Sequence, residues 1–157
     1  MCEKIFINED LKNKIAIFGA LTREEIEKIL EYVQRERYSK GEKIFSQNSS
    51  PEGIYILEEG ETSVICHHNN KDYTLKNYYP GDSFGQIAFL GITSNLGDCV
   101  ALNEVTLLKI SKFSFHKLSK VDHLLFIKFL LNITREICRY NCFLTNKFIE
   151  KSEVDIV

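Results

Sequence analysis

The feature that most constrains the fold is a stretch over residues 38–110 in which short apolar runs alternate with turn-forming residues. The runs are rich in Ile, Val, Tyr, Thr and Phe, which favour strands, while Gly, Pro, Asn and Asp separate them. Six strands are predicted, at Lys43–Ser46, Ile54–Glu58, Thr62–Cys66, Tyr73–Tyr78, Cys99–Leu102 and Thr106–Ile110. Strands this short and this closely spaced are typical of a small sandwich or barrel.

Helical patterns flank this β-rich stretch. Thr22 and Glu25 are the ends of a capping box, and apolar residues recur after them at helical spacing, so a helix is predicted over about 22–35. A short helix is predicted over 112–118, followed by a long one over about 122–150 that contains neither Pro nor Gly. The sequence therefore predicts a mainly β centre between two helical ends.

The long C-terminal helix carries an apolar stripe with alternating spacings of three and four residues. Its members are Leu130, Ile133, Ile137, Tyr140 and Leu144. Over two heptads such a stripe is typical of a coiled-coil seam, so the helix is a candidate surface for a homodimer or a partner protein. The same stripe also fits a helix that packs on the chain's own β domain, and the sequence leaves both interpretations open.

The length and charge of the chain limit its class. With 157 residues, 44% of them hydrophobic, it can bury one core, which predicts a single domain with a helical part over 1–37, a β-roll over 38–110 and helices over 111–150. The net charge is −2 and the basic residues are dispersed, so no direct nucleic-acid partner is expected. Without a signal-peptide pattern or a long apolar run, we expect no membrane segment and a cytoplasmic location.

The cysteines and histidines form no constellation that indicates catalysis. The five cysteines, at positions 2, 66, 99, 138 and 142, include no CxxC pair, and in a chain without a signal sequence this predicts reduced thiols. Cys138 and Cys142 lie four residues apart on a helix, but no matching cluster completes a metal site. Neither an enzyme nor a metal centre is therefore expected.

A glycine-flanked stretch over residues 80–90 has the shape of a phosphate site. Gly81 and Gly85 flank a run that turns helical, and bare backbone N–H groups there can face an anion. The charges do not fit an anion: residues 77–108 contain no Lys, Arg or His, and their charged members are Asp82, Asp98 and Glu104. The sequence thus predicts a phosphate cradle without its counter-charge.

Four motifs occur in the order typical of one known family. They are IFGALTREEI at 17–26, YSKGEKIFSQ at 38–47, IYILEEG at 54–60 and PGDSFG at 80–85. In these motifs the chain resembles the cyclic nucleotide-binding domain family of the catabolite activator protein and protein kinase A regulatory subunit type. The resemblance implies an α+β, mainly β fold: a double-stranded β-helix, or jelly roll, flanked by an N-terminal helix and a long C-terminal helix. It also implies a regulatory domain that is not an enzyme.

The resemblance places the first half of the family's phosphate-binding cassette at residues 84–88. Phe84 and Gly85 match its Phe-Gly start, and Ile87 and Ala88 match its short apolar helix. Gln86 stands where the family has a Glu that binds the ribose hydroxyl. An amide oxygen can accept from a hydroxyl but carries no charge, so a weaker hydrogen bond is expected.

The second half of the cassette departs further from the family. The Arg that pairs with the cyclic phosphate falls at Asn95 or Leu96, depending on where a one-residue insertion is placed, and neither can form a bidentate ion pair. Losing that pair is expected to weaken binding by roughly one to four orders of magnitude. Asp98 would repel an anion unless it turns outward, and Cys99, at or near the position of a hydroxyl donor, is a poor donor.

Two functions of different classes are compatible with these residues. One is a regulatory sensor domain that binds cAMP or cGMP weakly, or another small molecule instead. The other is a ligand-independent interaction or scaffold module that kept the fold.

Three basic residues are candidates for a cation that replaces the missing arginine by reaching the cavity from a strand or from the C-terminal helix. They are Lys76, Arg135 and Arg139.

Overall fold

Two four-stranded antiparallel sheets form the centre of the fold. The computed structural model describes residues 5–154, and their side chains as far as residue 151. In spatial order, the first sheet contains β1 (Gln34–Tyr38), β8 (Val105–Ser111), β3 (Gly53–Glu59) and β6 (Ser83–Phe84). The second contains β2 (Lys43–Phe45), β7 (Asp98–Ala101), β4 (Thr62–His68) and β5 (Lys71–Tyr78). Most connections cross between the sheets, which confirms the jelly-roll fold that the resemblance implied.

Helices precede, interrupt and follow the sheets. They are α1 (Glu9–Lys14), a 3₁₀ turn (Ala16–Phe18), α2 (Arg23–Leu30), α3 (Gln86–Gly91), α4 (Lys112–Val121) and α5 (His123–Val154). The capping box is present: the Thr22 hydroxyl accepts from the Glu25 N–H, and the Glu25 carboxylate accepts from the Thr22 N–H. None of the described helices combines the length and the apolar composition that a bilayer crossing requires.

The helix predicted over 22–35 is too long. It ends at Leu30, and Gln34–Tyr38 forms β1, so the β-rich part begins earlier than residue 38. The sequence of β1, QRERY, has no apolar alternation that would mark a strand. It becomes a strand because its backbone pairs with β8, from Gln34 opposite Lys109 to Tyr38 opposite Val105. The six strands predicted from the sequence are all present, with ends that differ by up to two residues.

The core has two parts that share the central strand β3. Its alternate residues point to opposite faces: Ile54 and Ile56 pack against the helices, while Tyr55 and Leu57 pack against the second sheet. We call these parts the helix-side core and the inter-sheet core. Both faces of β3 are buried, which explains why its sequence reads as a continuous apolar run.

The apolar stripe of α5 packs mostly on the chain's own domain. Ile133 is fully buried in the helix-side core, and Ile137 packs partly against that core. Leu130 and Tyr140 are partly buried, and only Leu144 is exposed. The complete stripe therefore cannot serve as the predicted seam for a homodimer or partner, because Ile133 already belongs to the chain's own core.

The described cysteines are free thiols. Cys99 is buried, Cys66 is partly buried, and Cys138 and Cys142 are exposed on α5. Cys2 lies outside the described residues. Within the described part of the chain, no three potential metal-ligating side chains come together.

Candidate functional site

A cavity of about 110 Å³ opens where α5 passes over the second sheet and α3. Residues 83–88 form one wall, and Leu75 and Tyr78 of β5 form another. Residues 95–96 close one side, and α5 contributes three residues on the other. Most of the lining is apolar or aromatic, so the cavity can hold a small organic molecule.

The fold brings most of the predicted site residues together. Seven of them line the cavity: Phe84, Gly85, Gln86, Ile87, Ala88, Asn95 and Leu96. Asp98 and Cys99 do not line it. The departure from the family pattern at Asp98 therefore does not place a carboxylate against a ligand.

Gly85 sets the position of α3 against β3. It adopts the left-handed conformation, with φ of 85°, immediately before the helix. A Cβ atom there would lie 2.9 Å from the Gly53 carbonyl oxygen and 3.1 Å from the Tyr55 ring. Only glycine satisfies both the dihedral angle and this close approach.

We expect Gly85→Ala to lower the free energy of unfolding by about 2 to 3 kcal/mol, because it combines a left-handed alanine with steric overlap. Gly41 is the matched control, since its φ is also 85° but a Cβ there would meet no atom within 4 Å. Gly41→Ala should cost only about 1 to 2 kcal/mol. Urea unfolding of both variants measures the difference, and equal losses would contradict the steric argument.

Gln86 presents an acceptor that has no donor. Its side chain is 7% exposed, and its amide nitrogen donates to Ser83, with 3.3 Å between Nε2 and the carbonyl oxygen. Because a carbonyl oxygen can only accept, this contact fixes the orientation of the amide. The Oε1 atom is buried and accepts no hydrogen bond from any described residue. An unpaired buried acceptor costs about 1 to 3 kcal/mol, so a ligand that donates to Oε1 would relieve that cost.

The two candidate positions for the missing arginine differ in their surroundings. Asn95 is 4% exposed, and its Nδ2 donates to Ser49 Oγ at 3.0 Å. Its backbone also exchanges hydrogen bonds with residues 48 and 49. Leu96 is 66% exposed at the rim of the cavity. Asn95 thus holds a neighbouring turn in place, whereas Leu96 can be replaced at little structural cost.

Asp98 is held by partners away from the cavity. Its Oδ1 accepts from the Gln47 N–H at 2.8 Å, and its Oδ2 lies 2.5 Å from Lys43 Nζ. The Lys43 contact is the largest of the causes that lower the pKa of Asp98 below its ordinary value. The carboxylate is therefore paired with a cation, and it lies outside the cavity lining.

Cys99 belongs to the inter-sheet core. Its side chain is fully buried beside residues such as Phe84 and Val64. Burial raises the pKa of its thiol to about 12, so the thiol stays protonated at neutral pH. Cys99 thus acts as a small apolar residue behind the cavity wall.

One basic side chain, Lys76, lines the cavity among the described residues. Its ammonium lies 4.7 Å from the ring centroid of Tyr78 on β5 and 5.0 Å from that of Tyr140 on α5. Such cation–π contacts occupy the ammonium and connect α5 to the second sheet.

The two arginines considered as replacements have other partners. Arg135 Nη1 donates to Asn132 Oδ1 at 3.1 Å, and Arg139 Nη1 donates to Glu136 Oε2 at 3.2 Å. Neither arginine lines the cavity. No guanidinium among the described residues therefore faces the space where a phosphate would lie.

The sequence pointed to the C-terminal helix as a source of site residues, but it did not indicate which of its residues line the cavity. Glu136 and Tyr140 reach the cavity from about 50 residues beyond α3, and Glu136 lies outside any recognised motif. Tyr140 was predicted only as a member of the apolar stripe. Nothing local in the sequence signals these contacts, because they depend on how α5 docks.

His67 is a second feature that the sequence did not reveal. Its Nδ1 lies 2.6 Å from Asp72 Oδ1 on β5, and its Nε2 lies 3.2 Å from Asp98 Oδ2 on β7. These contacts, with Asp72 first, raise the pKa of His67 above its ordinary value of 6.5. Lys43 on β2 also faces this cluster, because it pairs with the same Asp98 oxygen.

We expect the stabilising effect of His67 to depend on pH. A raised pKa in the folded state makes its contribution complete below about pH 6.5, and the contribution is lost as the pH rises through the raised value. The melting temperatures of the wild type and His67→Gln should therefore differ more at about pH 6 than at about pH 9. His68→Gln, on the opposite face of the strand, is the control. A difference that stays constant with pH would rule out the ion pairs as its cause.

Comparison with known proteins gives a consistent family match. A family model described as cyclic nucleotide-binding domain matches residues 35–122, which is more than half of the chain. The cAMP-dependent protein kinase regulatory subunit of Neurospora crassa is 27% identical over 110 residues. The alignment covers 70% of this chain and 28% of that protein, so the chain spans less than a third of this relative's length.

Solved structures share the fold. A cyclic nucleotide-binding domain from Methylobacillus flagellatus has a TM-score of 0.80 at 18% identity, covering 90% of this chain and 80% of that one. The regulatory subunit of a cAMP-independent protein kinase A from Trypanosoma cruzi, bound to guanosine, has a TM-score of 0.63 at 23% identity. That match covers 71% of this chain and 40% of the Trypanosoma chain.

Proposed function

Because this chain belongs to the cyclic nucleotide-binding domain family, we propose that it is a non-enzymatic regulatory domain whose cavity holds a small molecule and binds cAMP and cGMP only weakly. The observation that carries this proposal is the absence of any guanidinium among the described residues that line the cavity. A phosphate bound there would lack the bidentate, charge-assisted partner that an arginine provides. The regulatory subunit named among the relatives supports a role in regulation rather than catalysis.

Lys76 is a poor substitute for the missing arginine. Its ammonium is a point charge without the fork geometry of a guanidinium, and it rests against the rings of Tyr78 and Tyr140. Recruiting it to a phosphate would break those two contacts, each worth about 0.5 to 1 kcal/mol at an exposed site. The cation that is present therefore restores only part of the lost affinity.

A ligand other than a cyclic nucleotide is compatible with this cavity. The Trypanosoma cruzi relative is bound to guanosine, which carries no phosphate. The same fold thus has a precedent for a ligand without an anionic group. A ligand of this kind has no need of the missing counter-charge.

In this proposal, α5 transmits ligand binding in the cavity to a homodimer or partner protein. Its residues Glu136 and Tyr140 line the cavity, whereas Phe129 and Ile133 anchor the same helix in the helix-side core. A ligand that contacts the first pair changes the relative free energies of the docked and undocked positions of the helix. We propose that a homodimer or partner contact uses the opposite face, where large apolar residues are exposed: Leu124, Ile127 and Leu131.

Titration calorimetry of the unmodified chain with cAMP and cGMP tests this proposal. We expect dissociation constants weaker than about 10 μM for both, because roughly 1.5 to 3 kcal/mol is lost with each missing charge-assisted bond. A dissociation constant near micromolar or tighter for either nucleotide would refute the weak-binding proposal.

A thermal-shift screen of metabolites separates a sensor from a scaffold. Any molecule that binds only the folded state raises the melting temperature by mass action. We expect at least one uncharged metabolite to do so. If no compound does, and neither cyclic nucleotide binds, the ligand-independent scaffold is the correct function.

A further inference from the structure

Two exposed thiols lie on one face of α5. Cys138 and Cys142 are both free and exposed, and they are four residues apart within the continuous helix His123–Val154. Cysteine is among the residue types most often buried, so two exposed thiols at this spacing are unusual. Residues four apart point to the same side of a helix, with about 5 to 6 Å between their Cβ atoms. The spacing is visible in the sequence, but only the structure shows that both thiols are open to solvent.

Neither thiol is engaged by another group of the chain. Among the described residues, no hydrogen bond or ion pair involves Cys138 or Cys142. Within the same part of the chain, no third potential metal ligand joins them. The pair thus offers two soft sulfur ligands. This donor set suits a soft cation that takes two thiolates better than it suits Zn²⁺, which takes four ligands.

The spacing of the two thiols favours a bridging cation over a disulfide. A disulfide needs Cβ atoms about 3.5 to 4.5 Å apart, which is closer than a helix places residues four positions apart. Metal–thiolate bonds are about 2.3 Å long for Zn²⁺, and two bonds of that length in line span roughly 4.6 Å between the sulfurs. Side chains four residues apart can reach that span from an undistorted helix.

Each thiol has a guanidinium beside it on the helix surface. Arg135 precedes Cys138 by three residues, and Arg139 precedes Cys142 by three. Arg139 also donates to Glu136 Oε2, at 3.2 Å. A monovalent cation held by two thiolates forms a complex with one negative charge. The neighbouring guanidiniums stabilise such a complex by Coulomb attraction.

We propose that Cys138 and Cys142 form a binding site for a soft monovalent cation, Cu(I), separate from the cavity. Binding forms two Cu–S bonds and releases the two thiol protons to solvent, and the oxidation state of copper does not change. The pair lies about two turns beyond Leu131, on the face that we proposed for a homodimer or partner contact. Occupancy of the site therefore adds a negative charge beside that contact.

Competition with a chromogenic chelator tests the site. The bicinchoninate complex of Cu(I) is titrated with the reduced, unmodified chain under anaerobic conditions, and the loss of its colour reports transfer of the metal. We expect the chain to take up one Cu(I). Cys138→Ser and Cys142→Ser should each weaken the affinity by about a hundredfold or more, because each variant leaves a single thiolate in place of a linked pair. Unchanged affinity in either variant would overturn the inference.

The other thiols provide matched controls. Cys66 is partly buried on β4, and Cys2 lies outside the described residues. Cys66→Ser and Cys2→Ser each remove one thiol, and neither should change the Cu(I) affinity. A loss in either control as large as the loss in Cys142→Ser would refute a site made of two thiols.

A shifted thiol separates the spacing from the number of thiols. The double variant Cys142→Ser/Asn146→Cys keeps two thiols at exposed positions of α5, but they are about 12 Å apart along the helix axis. We expect it to bind Cu(I) as weakly as Cys142→Ser does. Affinity equal to that of the unmodified chain would contradict the argument from spacing. Circular dichroism checks the fold of each variant, and Cys142→Ala decides the same point if a serine variant does not fold.

The stoichiometry distinguishes a site within one chain from a bridge between two chains. Uptake of half a Cu(I) per chain, together with dimer formation on size-exclusion chromatography when Cu(I) is added, would overturn the single-chain site. The proposed function is tested separately, because titrations with cAMP and cGMP involve the cavity and not these thiols. Failure of the copper experiment thus leaves the proposed function standing, and tight binding of a cyclic nucleotide leaves the thiol site standing.

Discussion

We expect Leu96→Arg to raise the affinity of the domain for cAMP by roughly tenfold to a hundredfold. The substitution places a guanidinium at the rim of the cavity, and one charge-assisted hydrogen bond is worth about 1.5 to 3 kcal/mol. Leu96 is 66% exposed, so the longer side chain can be accommodated without disturbing the core. Calorimetric titration of the unmodified and substituted chains with cAMP measures the gain.

The structure favours Leu96 over Asn95 as the position to substitute, because Asn95 is buried and hydrogen-bonded while Leu96 is exposed. Asn95→Arg would break the hydrogen bond between Asn95 Nδ2 and Ser49 Oγ and would bury a charge. Asp98 need not be removed in the same experiment, because its carboxylate already pairs with Lys43 and lies outside the cavity lining. Leu96→Arg alone is therefore the cleaner experiment.

Two controls separate a specific phosphate contact from general attraction. Leu96→Gln changes the same position without adding charge, and it should leave cAMP affinity nearly unchanged. Val121→Arg adds the same charge at a residue that is 65% exposed on α4 and does not line the cavity. If Val121→Arg raised affinity as much as Leu96→Arg, the gain would reflect net charge. If neither arginine variant gained affinity, cavity shape rather than charge would limit binding.

Phe129→Ala should lower the free energy of unfolding by about 3 to 5 kcal/mol, the range measured for large-to-small changes at buried aromatic residues. Phe129 is fully buried in the helix-side core, with its ring centroid 6.2 Å from that of Phe18. It joins α5 to the 3₁₀ turn near the N-terminus, so the cavity left by the substitution also loosens the docking of α5. Urea unfolding gives the free energy, and the melting temperature should fall by roughly 6 to 20 °C.

The matched control for this prediction is Phe113→Ala. Phe113 lies on α4 and is 76% exposed, so the same chemical change there should alter the free energy of unfolding by no more than about 0.5 kcal/mol. Equal effects at the two positions would mean that Phe129 is not part of a packed core. An effect at Phe129 alone would establish that α5 is anchored through this residue.

Only the contiguous part of the candidate site was predictable from the sequence. Residues 84–88 are contiguous, and a turn with a glycine followed by an apolar run is visible in the sequence itself. The absence of basic residues over 77–108 was equally visible, and it agrees with the lack of a guanidinium among the described cavity-lining residues, which carries the proposal of weak cyclic nucleotide binding. What the sequence could not give was the orientation of Asp98, because that depends on its contacts with Lys43 and His67 on other strands.

The sequence by itself determined the alternation of strands and helices, the capped start of α2 and the absence of Lys, Arg and His over residues 77–108. Each of these depends on residue types and on spacings within a few positions, which any segment of chain carries with it. Only the tertiary structure decided that Gln34–Tyr38 is a strand, that Ile133 is buried in the chain's own core, and that α5 brings Glu136 to the cavity. These outcomes depend on pairing and packing between segments that lie tens of residues apart, so no local pattern encodes them.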